Sequence, residues 1–159
     1  GFDIAGPVLN YRPSLFSTTF KKVKNAGVNI TIHAGEGDNV ESIKDALENG
    51  AKRIGHGVRI IEDINLKSNK FGATASFIHD KQIPLEICIT SNIHTNMYKS
   101  YDTHPIKDLV DLGFNISLNT DNRLMSNTDI VKEINICKDI GIKKPEKLLE
   151  MSASYSFLN

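Results

Sequence analysis

The 159-residue chain carries 19 basic and 19 acidic side chains, and 40% of its residues are hydrophobic. This composition is typical of a globular protein rather than a disordered or fibrous one. The formal net charge of zero provides no overall field that would recruit nucleic acid or an anionic membrane. The two cysteines form no CxxC pair, which argues against a cysteine-ligated zinc knuckle or a disulfide framework and favours a reducing cytoplasm.

The first residues, GFDIAG, lack the charged and apolar regions of a signal peptide, and no apolar run approaches the length of a membrane span. The chain also begins without an initiator Met. We therefore expect an internal piece of a longer protein.

Four apolar stretches predict β-strands at intervals of about 23, 33 and 30 residues, the length of a βαβ unit. They are VNITIH (28–33), AKRIGHG (51–57), IPLEICIT (83–90) and FNISLNT (114–120). Helical spacing of apolar residues predicts helices over 39–49 and 105–112, and from 129 and 145 onwards. Three strands follow a glycine able to take the left-handed turn at a helix end: Gly27, Gly50 and Gly113. The pattern predicts an α/β fold with a parallel sheet.

Local signals at the helix starts give finer predictions. Asp38 with Glu41 has the spacing of a capping box, and Pro105 suits a first helical position. Ser126 or Thr128 could cap the helix that follows Asp129.

The polar residues that end these strands are the most informative feature. Parallel strands of α/β proteins gather their carboxyl ends on one face, where chemistry is built. The strand ends supply His33 with Glu36, then His56, then Ser91-Asn92, and then Asp121-Asn122. We expect them to converge on one pocket with nitrogen and oxygen ligands for a divalent metal such as zinc, plus a spare acid and base.

Each of these residues also has a structural interpretation. A lone strand-end histidine is usually hydrogen-bonded within the fold, Glu36 could favour the start of the next helix, and Asp121 could belong to a turn. Their shared position at successive strand ends favours the functional interpretation. We assign structural roles to His79, His94 and His104, a hydrogen-bonding role to Ser91, and core positions to Cys88 and Cys137.

The segments TIHAGEG, RIGHG, LEICITSN and SLNTDN, in this order and spacing, resemble the adenosine deaminase family of zinc aminohydrolases. GFDIAG near the start and SFL near the end match outlying motifs of that family, so the resemblance covers essentially the whole chain. The H-x-E and P-C-x-x-C signature of the cytidine-deaminase type of zinc site is absent. The resemblance implies a TIM (β/α)8 barrel, of which residues 1–159 form about the second half, with the N-terminal half missing.

The resemblance also implies roles for four residues in catalysis. His33 and Asp121 match zinc ligands, and Glu36 matches the acid that protonates the purine ring nitrogen beside the reacting carbon. His56 matches the residue that positions and deprotonates the zinc-bound water and stabilises the developing oxyanion.

Two further positions match contacts to the purine. Gly6 matches a glycine whose backbone amide binds a purine nitrogen, and Asn122 takes the place of a second family aspartate that hydrogen-bonds the imidazole side of the ring. An amide in that place can donate and accept without needing a proton. Pro7 and Val8 stand where the family often has acidic residues.

The implied activity is the zinc-dependent hydrolytic deamination of adenosine and 2'-deoxyadenosine to inosine and ammonia, in purine salvage. The family's other zinc ligands form a His-x-His pair, and this sequence contains none. We therefore expect the missing half to supply them and the isolated piece to be inactive. Expected partners are a purine nucleoside, with no nucleic acid or membrane. Adenine or AMP deamination, and a non-catalytic remnant, remain open alternatives.

Overall fold

A computed structural model describes residues 1–6 and 9–158. Pro7 and Val8, the positions where acidic residues were expected from the family pattern, lie outside the described residues. Seven strands are present in the described part: β1 Phe2–Ile4, β2 Ile30–Ala34, β3 Arg53–His56, β4 Ile64–Asn65, β5 Lys70–Phe71, β6 Leu85–Ile87 and β7 Ile116–Leu118. Five of them, in the order β1-β2-β3-β6-β7, form a sheet in which every pairing is parallel.

Helices separate the sheet strands along the chain. They are α1 Ser17–Asn25, α2 Val40–Glu48, α3 Ala73–Lys81, α4 Ile89–His94, α5 Ile106–Asp111, α6 Arg123–Ser126, α7 Ile130–Asp139 and α8 Glu146–Ser154. Short 3-10 turns cover Pro13–Phe16, Val58–Asp63 and Tyr101–Thr103. No helix in the described part of the chain combines the length and the apolar character that crossing a membrane requires. The alternation of parallel strands with helices confirms the predicted α/β architecture.

The two faces of the sheet differ in chemistry. Apolar residues of the strands, such as Ile32, Ile54 and Leu85, are fully buried and form the core together with residues of the helices. Residues that are paired across the other face are mostly polar, and the register places His33 beside Gly55 and Gly55 beside Glu86. Because side chains alternate along a strand, this register assembles a polar surface that extends to the strand ends.

Glycines end the helices as predicted. Gly27, Gly50 and Gly113 have φ angles of 72°, 92° and 81°, the left-handed conformation that lets each chain leave its helix and enter the next strand.

The predicted helix caps are wrong in two places. Asn39, not Asp38, caps α2 by accepting a hydrogen bond from the backbone N–H of Glu41. Asp38 instead accepts a 2.9 Å hydrogen bond from Nε of Arg12. Asp129, rather than Ser126 or Thr128, caps α7 by accepting from the backbone N–H of Lys132. In both helices the N-cap lies one or more residues later than the spacing suggests, at an Asx side chain that accepts from a backbone N–H of the first turn.

The chain after β6 also differs from its predicted extent. The apolar run 83–90 predicted one long strand, but β6 ends at Ile87 and α4 begins at Ile89. Pro105 lies at the N-cap of α5 rather than inside its first turn. Buried strand and buried helix share the same apolar composition, so periodicity alone does not separate them. The early end of β6 is what brings the polar residues of α4 to the strand-end face.

Candidate active site

Side chains from successive strand ends meet around a cavity of about 290 Å³. The residues that line it are His33, Gly55, His56, Glu86, Cys88, Asn119, Thr120 and Asp121. The rings of His33 and His56 contact each other edge to face, with centroids 5.2 Å apart. Of the four histidines and carboxylates predicted to converge, His33, His56 and Asp121 line this cavity, whereas Glu36 is not among its lining residues.

His33 lies against a glycine on the neighbouring strand. A Cβ atom added to Gly55 would stand 2.4 Å from Cδ2 and 3.0 Å from Nε2 of His33. Real Cβ atoms do not approach other atoms that closely, so the imidazole occupies the space where any other residue would carry its side chain. The RIGHG segment thus contributes Gly55 as well as His56, and no local pattern of residues indicated that Gly55 makes room for His33.

The turn after β2 presents Glu36 to His56. Gly35 has a φ angle of 64°, its backbone N–H donates to Oγ of Ser42 on α2, and a Cβ there would stand 2.4 Å from Cδ1 of Ile43. Glycine is therefore required for the turn to pack on α2. Oε2 of Glu36 consequently lies 3.5 Å from Nε2 of His56.

His56 sits in a backbone conformation that few residues adopt. Its φ angle is 58°, in the left-handed region, although it ends a regular strand. Strand alternation pairs it with Ala34 on the helix-covered face, and the left-handed turn lets its ring reach His33 instead. The side chain is only 2% exposed, and this burial is the main cause that lowers the pKa of His56, against the opposing effect of the Glu36 carboxylate.

Asp121 is a second left-handed residue, with a φ angle of 56°. Its Oδ2 accepts a 2.6 Å hydrogen bond from Oγ of Ser91, in the first turn of α4. The predicted hydrogen-bonding role of Ser91 is confirmed. Non-glycine residues with a strained backbone are often found at functional sites, and His56 and Asp121 are both candidate site residues of this kind.

Asn92 belongs to the site, although its position at a strand end predicted no particular role for it. It is fully buried, and its Nδ2 lies 3.1 Å from Nδ1 of His56 and 3.4 Å from Oε1 of Glu36. Its Oδ1 lies 3.2 Å from Nε2 of the buried His104. Three consecutive polar residues, Thr90, Ser91 and Asn92, at the end of an apolar run indicated a polar site in the sequence. Only the fold shows which groups Asn92 contacts.

The two residues matched to purine contacts are both exposed. Gly6 is exposed two residues after β1, with a φ angle of 135° that favours glycine. Asn122 is exposed and caps α6, where its Oδ1 accepts a 3.0 Å hydrogen bond from the backbone N–H of Met125. Neither belongs to the described residues that line the cavity. Their predicted contacts to substrate remain predictions.

The donor set suits a divalent metal but is incomplete by itself. His33 and Asp121 offer an imidazole nitrogen and a carboxylate at one cavity, the donor types that zinc accepts. Cys88 also lines the cavity, and burial raises the pKa of its thiol well above the usual value. Within residues 1–6 and 9–158, no three His, Cys, Asp or Glu side chains are placed to hold a metal ion together. His33 and Asp121 therefore provide two candidate ligands at this cavity, fewer than the three protein ligands that are usual for catalytic zinc.

The family model for adenosine deaminase matches residues 1–153. Adenosine deaminase 1 of Streptomyces coelicolor is 47% identical over 137 residues, which cover 84% of this chain and 35% of that protein. Adenosine deaminase of Mycobacteroides abscessus is 43% identical over 138 residues, covering 84% of this chain and 38% of that protein. The chain thus spans little more than a third of the length of these relatives.

Solved structures share the fold over the chain. Adenine deaminase of Arthrobacter aurescens has a TM-score of 0.90 at 22% identity, covering 100% of this chain and 47% of that one. N6-methyl-AMP deaminase of Arabidopsis thaliana has a TM-score of 0.81 at 27% identity, covering 100% and 45%. An amidohydrolase of Burkholderia ambifaria, solved with bound Zn, has a TM-score of 0.83 at 18% identity, covering 99% and 43%. The likeness confirms that the described strands and helices form part of a TIM-barrel deaminase fold.

Proposed function

Because the chain belongs to the adenosine deaminase family, we propose that the complete protein deaminates adenosine and 2'-deoxyadenosine by hydrolysis, releasing ammonia. The observation that carries this proposal is that two histidines and two carboxylates lie at or just after the carboxyl ends of β2, β3 and β7, three parallel strands of one sheet. His33, His56 and Asp121 line one cavity, and Oε2 of Glu36 lies 3.5 Å from Nε2 of His56. The identity to proteins named adenosine deaminase favours adenosine among purines.

We propose Zn²⁺ as the metal, held by His33 and Asp121. A similar barrel has been solved with bound Zn, and the imidazole and carboxylate donors suit this ion. When bound, the ion would supply a nucleophile by lowering the pKa of a water molecule from 15.7 to about 7. In this proposal the remaining ligands come from sequence outside residues 1–159, so the isolated chain binds zinc weakly and is inactive.

The other residues then handle the substrate and its protons. Glu36 delivers a proton to the ring nitrogen beside the reacting carbon, which relieves the aromatic character of the ring. His56 holds the water and the oxygen that develops negative charge. The backbone amide of Gly6 and the side-chain amide of Asn122 bind the purine. The water oxygen forms a bond to the ring carbon, and the bond from that carbon to the amino nitrogen breaks. Of the two water protons, one leaves with the amino group as ammonia and the other replaces the proton that Glu36 gave to the ring.

The cellular setting follows from the same reading. We propose a cytoplasmic protein of purine salvage, which is supported by the two free, buried cysteines. The proposed partner is a small purine nucleoside, with neither nucleic acid nor membrane.

The test is ammonia release by the complete gene product from adenosine, 2'-deoxyadenosine, adenine and AMP. We expect the largest kcat/KM with adenosine, and a loss on the order of 10²–10⁴-fold for Glu36→Gln, as for a lost acid or base group. Glu41→Gln, an exposed carboxyl on α2, is the matched control and should leave the rate unchanged. Unchanged turnover in Glu36→Gln would refute the role of this residue.

A deaminase acting on AMP or on adenine is the second candidate. The likeness to N6-methyl-AMP deaminase of Arabidopsis thaliana, at 27% identity, favours the nucleotide form of this alternative. A larger kcat/KM with AMP than with adenosine would select it. No ammonia from any of the four compounds would indicate a non-catalytic remnant.

A further inference from the structure

A line of four buried hydrogen-bonding groups runs from the start of α5 to the candidate active site. It begins at the backbone N–H of Ile106, which lies 3.2 Å from Nδ1 of His104. A backbone N–H can only donate, so Nδ1 of His104 accepts. The single proton of a neutral imidazole must then sit on Nε2 of His104.

His104 is in fact neutral at physiological pH. The residue is 4% exposed, and burial lowers its pKa to about 3. Its Nε2–H therefore donates to Oδ1 of Asn92, 3.2 Å away. The donor and acceptor roles of both ring nitrogens follow from the backbone group at the start of the line.

This donation fixes the orientation of the Asn92 side chain. With its oxygen towards His104, its NH₂ group faces Nδ1 of His56 at 3.1 Å and Oε1 of Glu36 at 3.4 Å. Both neighbours can accept, and the Glu36 oxygen supports the same orientation from the opposite end of the line. Asn92 is fully buried, so water does not compete for these groups.

We propose that Asn92 and His104 are positioning residues that hold the ring proton of His56 on Nε2. Because the NH₂ group of Asn92 donates to Nδ1, that nitrogen keeps its lone pair, and the proton of the neutral ring occupies the other nitrogen. Nε2 of His56 is the nitrogen that lies 3.5 Å from Oε2 of Glu36.

The consequence for the reaction rests on the proposed deaminase function. His56 enters the reaction with an N–H rather than a lone pair on its Nε2 side, so in this proposal it does not deprotonate the water, in contrast to the role that the family resemblance implies. It is therefore prepared to donate a hydrogen bond to an oxygen that gains negative charge. The position of the His56 proton is thus set, through His104 and Asn92, by the backbone N–H of Ile106. In this way α5 influences the site without contacting it.

The test reads the tautomer directly. The complete gene product is labelled with ¹⁵N-histidine, freed of metal with a chelator, and examined at about pH 8, above the ordinary histidine pKa of about 6.5. Two-bond ¹H–¹⁵N spectra, assigned with single-histidine variants, distinguish the protonated ring nitrogen from the unprotonated one. We expect His56 to carry its proton on Nε2. A proton on Nδ1 of His56, or an even mixture, in the wild-type protein overturns the proposal.

Asn92→Asp is the decisive variant, because a carboxylate can only accept. We expect the His56 proton to move to Nδ1 and kcat to fall on the order of 10²–10⁴-fold. Asn119→Asp is the matched control: it is the same substitution at an Asn of the cavity that His56 lines, but the Asn119 amide donates to Ser117. It should leave the tautomer of His56 unchanged. A proton that stays on Nε2 in folded Asn92→Asp overturns the proposal.

Variants of His104 test the remote end of the line. His104→Gln keeps an N–H group for Asn92 and should preserve the Nε2 proton of His56, whereas His104→Phe removes it and should give a mixture of tautomers. A His104→Phe protein with an unmixed Nε2 proton would exclude His104 from the line. The spectra are read without substrate, so a protein that deaminates none of the tested purines could still confirm the tautomer, and the two proposals fail separately.

Discussion

Gly55→Ala tests whether the position of His33 depends on the missing side chain of its strand neighbour. The added Cβ would stand 2.4 Å from Cδ2 of His33, whereas ordinary contacts begin at 3.4 Å. The new Cβ is attached to the strand backbone, so the imidazole ring of His33 must withdraw by about 1 Å or rotate away. A zinc–nitrogen bond is only about 2.0–2.1 Å long, so this displacement removes His33 from any ion held by the other ligands.

The cost to folding should be much smaller than the cost to metal binding. The His33 side chain is 24% exposed and can rotate towards the cavity. Overpacking costs about 1–3 kcal/mol, and replacing a strand glycine with alanine returns about 0.5–1 kcal/mol of backbone entropy. We expect a net loss of roughly 0–2.5 kcal/mol in the free energy of unfolding. Zinc affinity should fall on the order of 10–100-fold or more.

The assay is competition for Zn²⁺ against a chelator of known affinity, with the complete gene product, alongside thermal unfolding. Gly37→Ala is the matched control, because a Cβ there would meet nothing closer than the Leu9 backbone nitrogen at 4.0 Å. It should unfold and bind zinc as the wild type does. A folded Gly55→Ala protein with wild-type zinc affinity would show that the ring of His33 does not hold the metal.

Three further changes probe the surroundings of the site. Ser91→Ala removes the hydrogen bond to Asp121 and should weaken zinc binding on the order of 10–100-fold in the same competition assay. The melting temperature should change little. Zinc affinity equal to that of the wild type would contradict the role of Ser91 in orienting the Asp121 carboxylate. Glu133→Leu leaves the buried Thr128 hydroxyl and the Thr90 backbone N–H without their acceptor and should destabilise the fold by about 1–3 kcal/mol in urea unfolding. Glu133→Gln keeps one accepting oxygen and should lose less; equal losses in both variants would argue against these hydrogen bonds. His104 has a folded-state pKa of about 3, below its unfolded value, so its contribution to stability is present above about pH 6.5 and is lost as the pH falls towards 3, by about 1.4 kcal/mol per pH unit. His104→Gln should flatten that part of the stability-against-pH curve, and an unchanged slope would show that His104 is not the group responsible.

The composition of the site could be predicted without the structure because parallel strands impose a direction. Once strands ending at His33, His56 and Asp121 alternate with helices, their carboxyl ends must share one side of the sheet. Helix ends at Gly27, Gly50 and Gly113 were equally readable, because a left-handed residue strongly favours glycine.

Element boundaries were less predictable. The apolar run through Ile87 and Ile89 is divided between a strand and a helix, and both states bury such residues equally well. The cap of α2 moved from Asp38 to Asn39 because Arg12, far away in the chain, binds the Asp38 carboxyl. Local sequence propensity cannot predict a hydrogen bond between residues that are so far apart in the chain.

The sequence by itself determined which chemical groups this protein brings to one face, because strand direction and helix ends are written in neighbouring residues. Only the tertiary structure decided how those groups are held. The space for His33 comes from Gly55 on another strand, and the buried line through Asn92 and His104 joins segments that are adjacent only after folding. Register and packing between distant segments set these contacts, and no local pattern of residues encodes them.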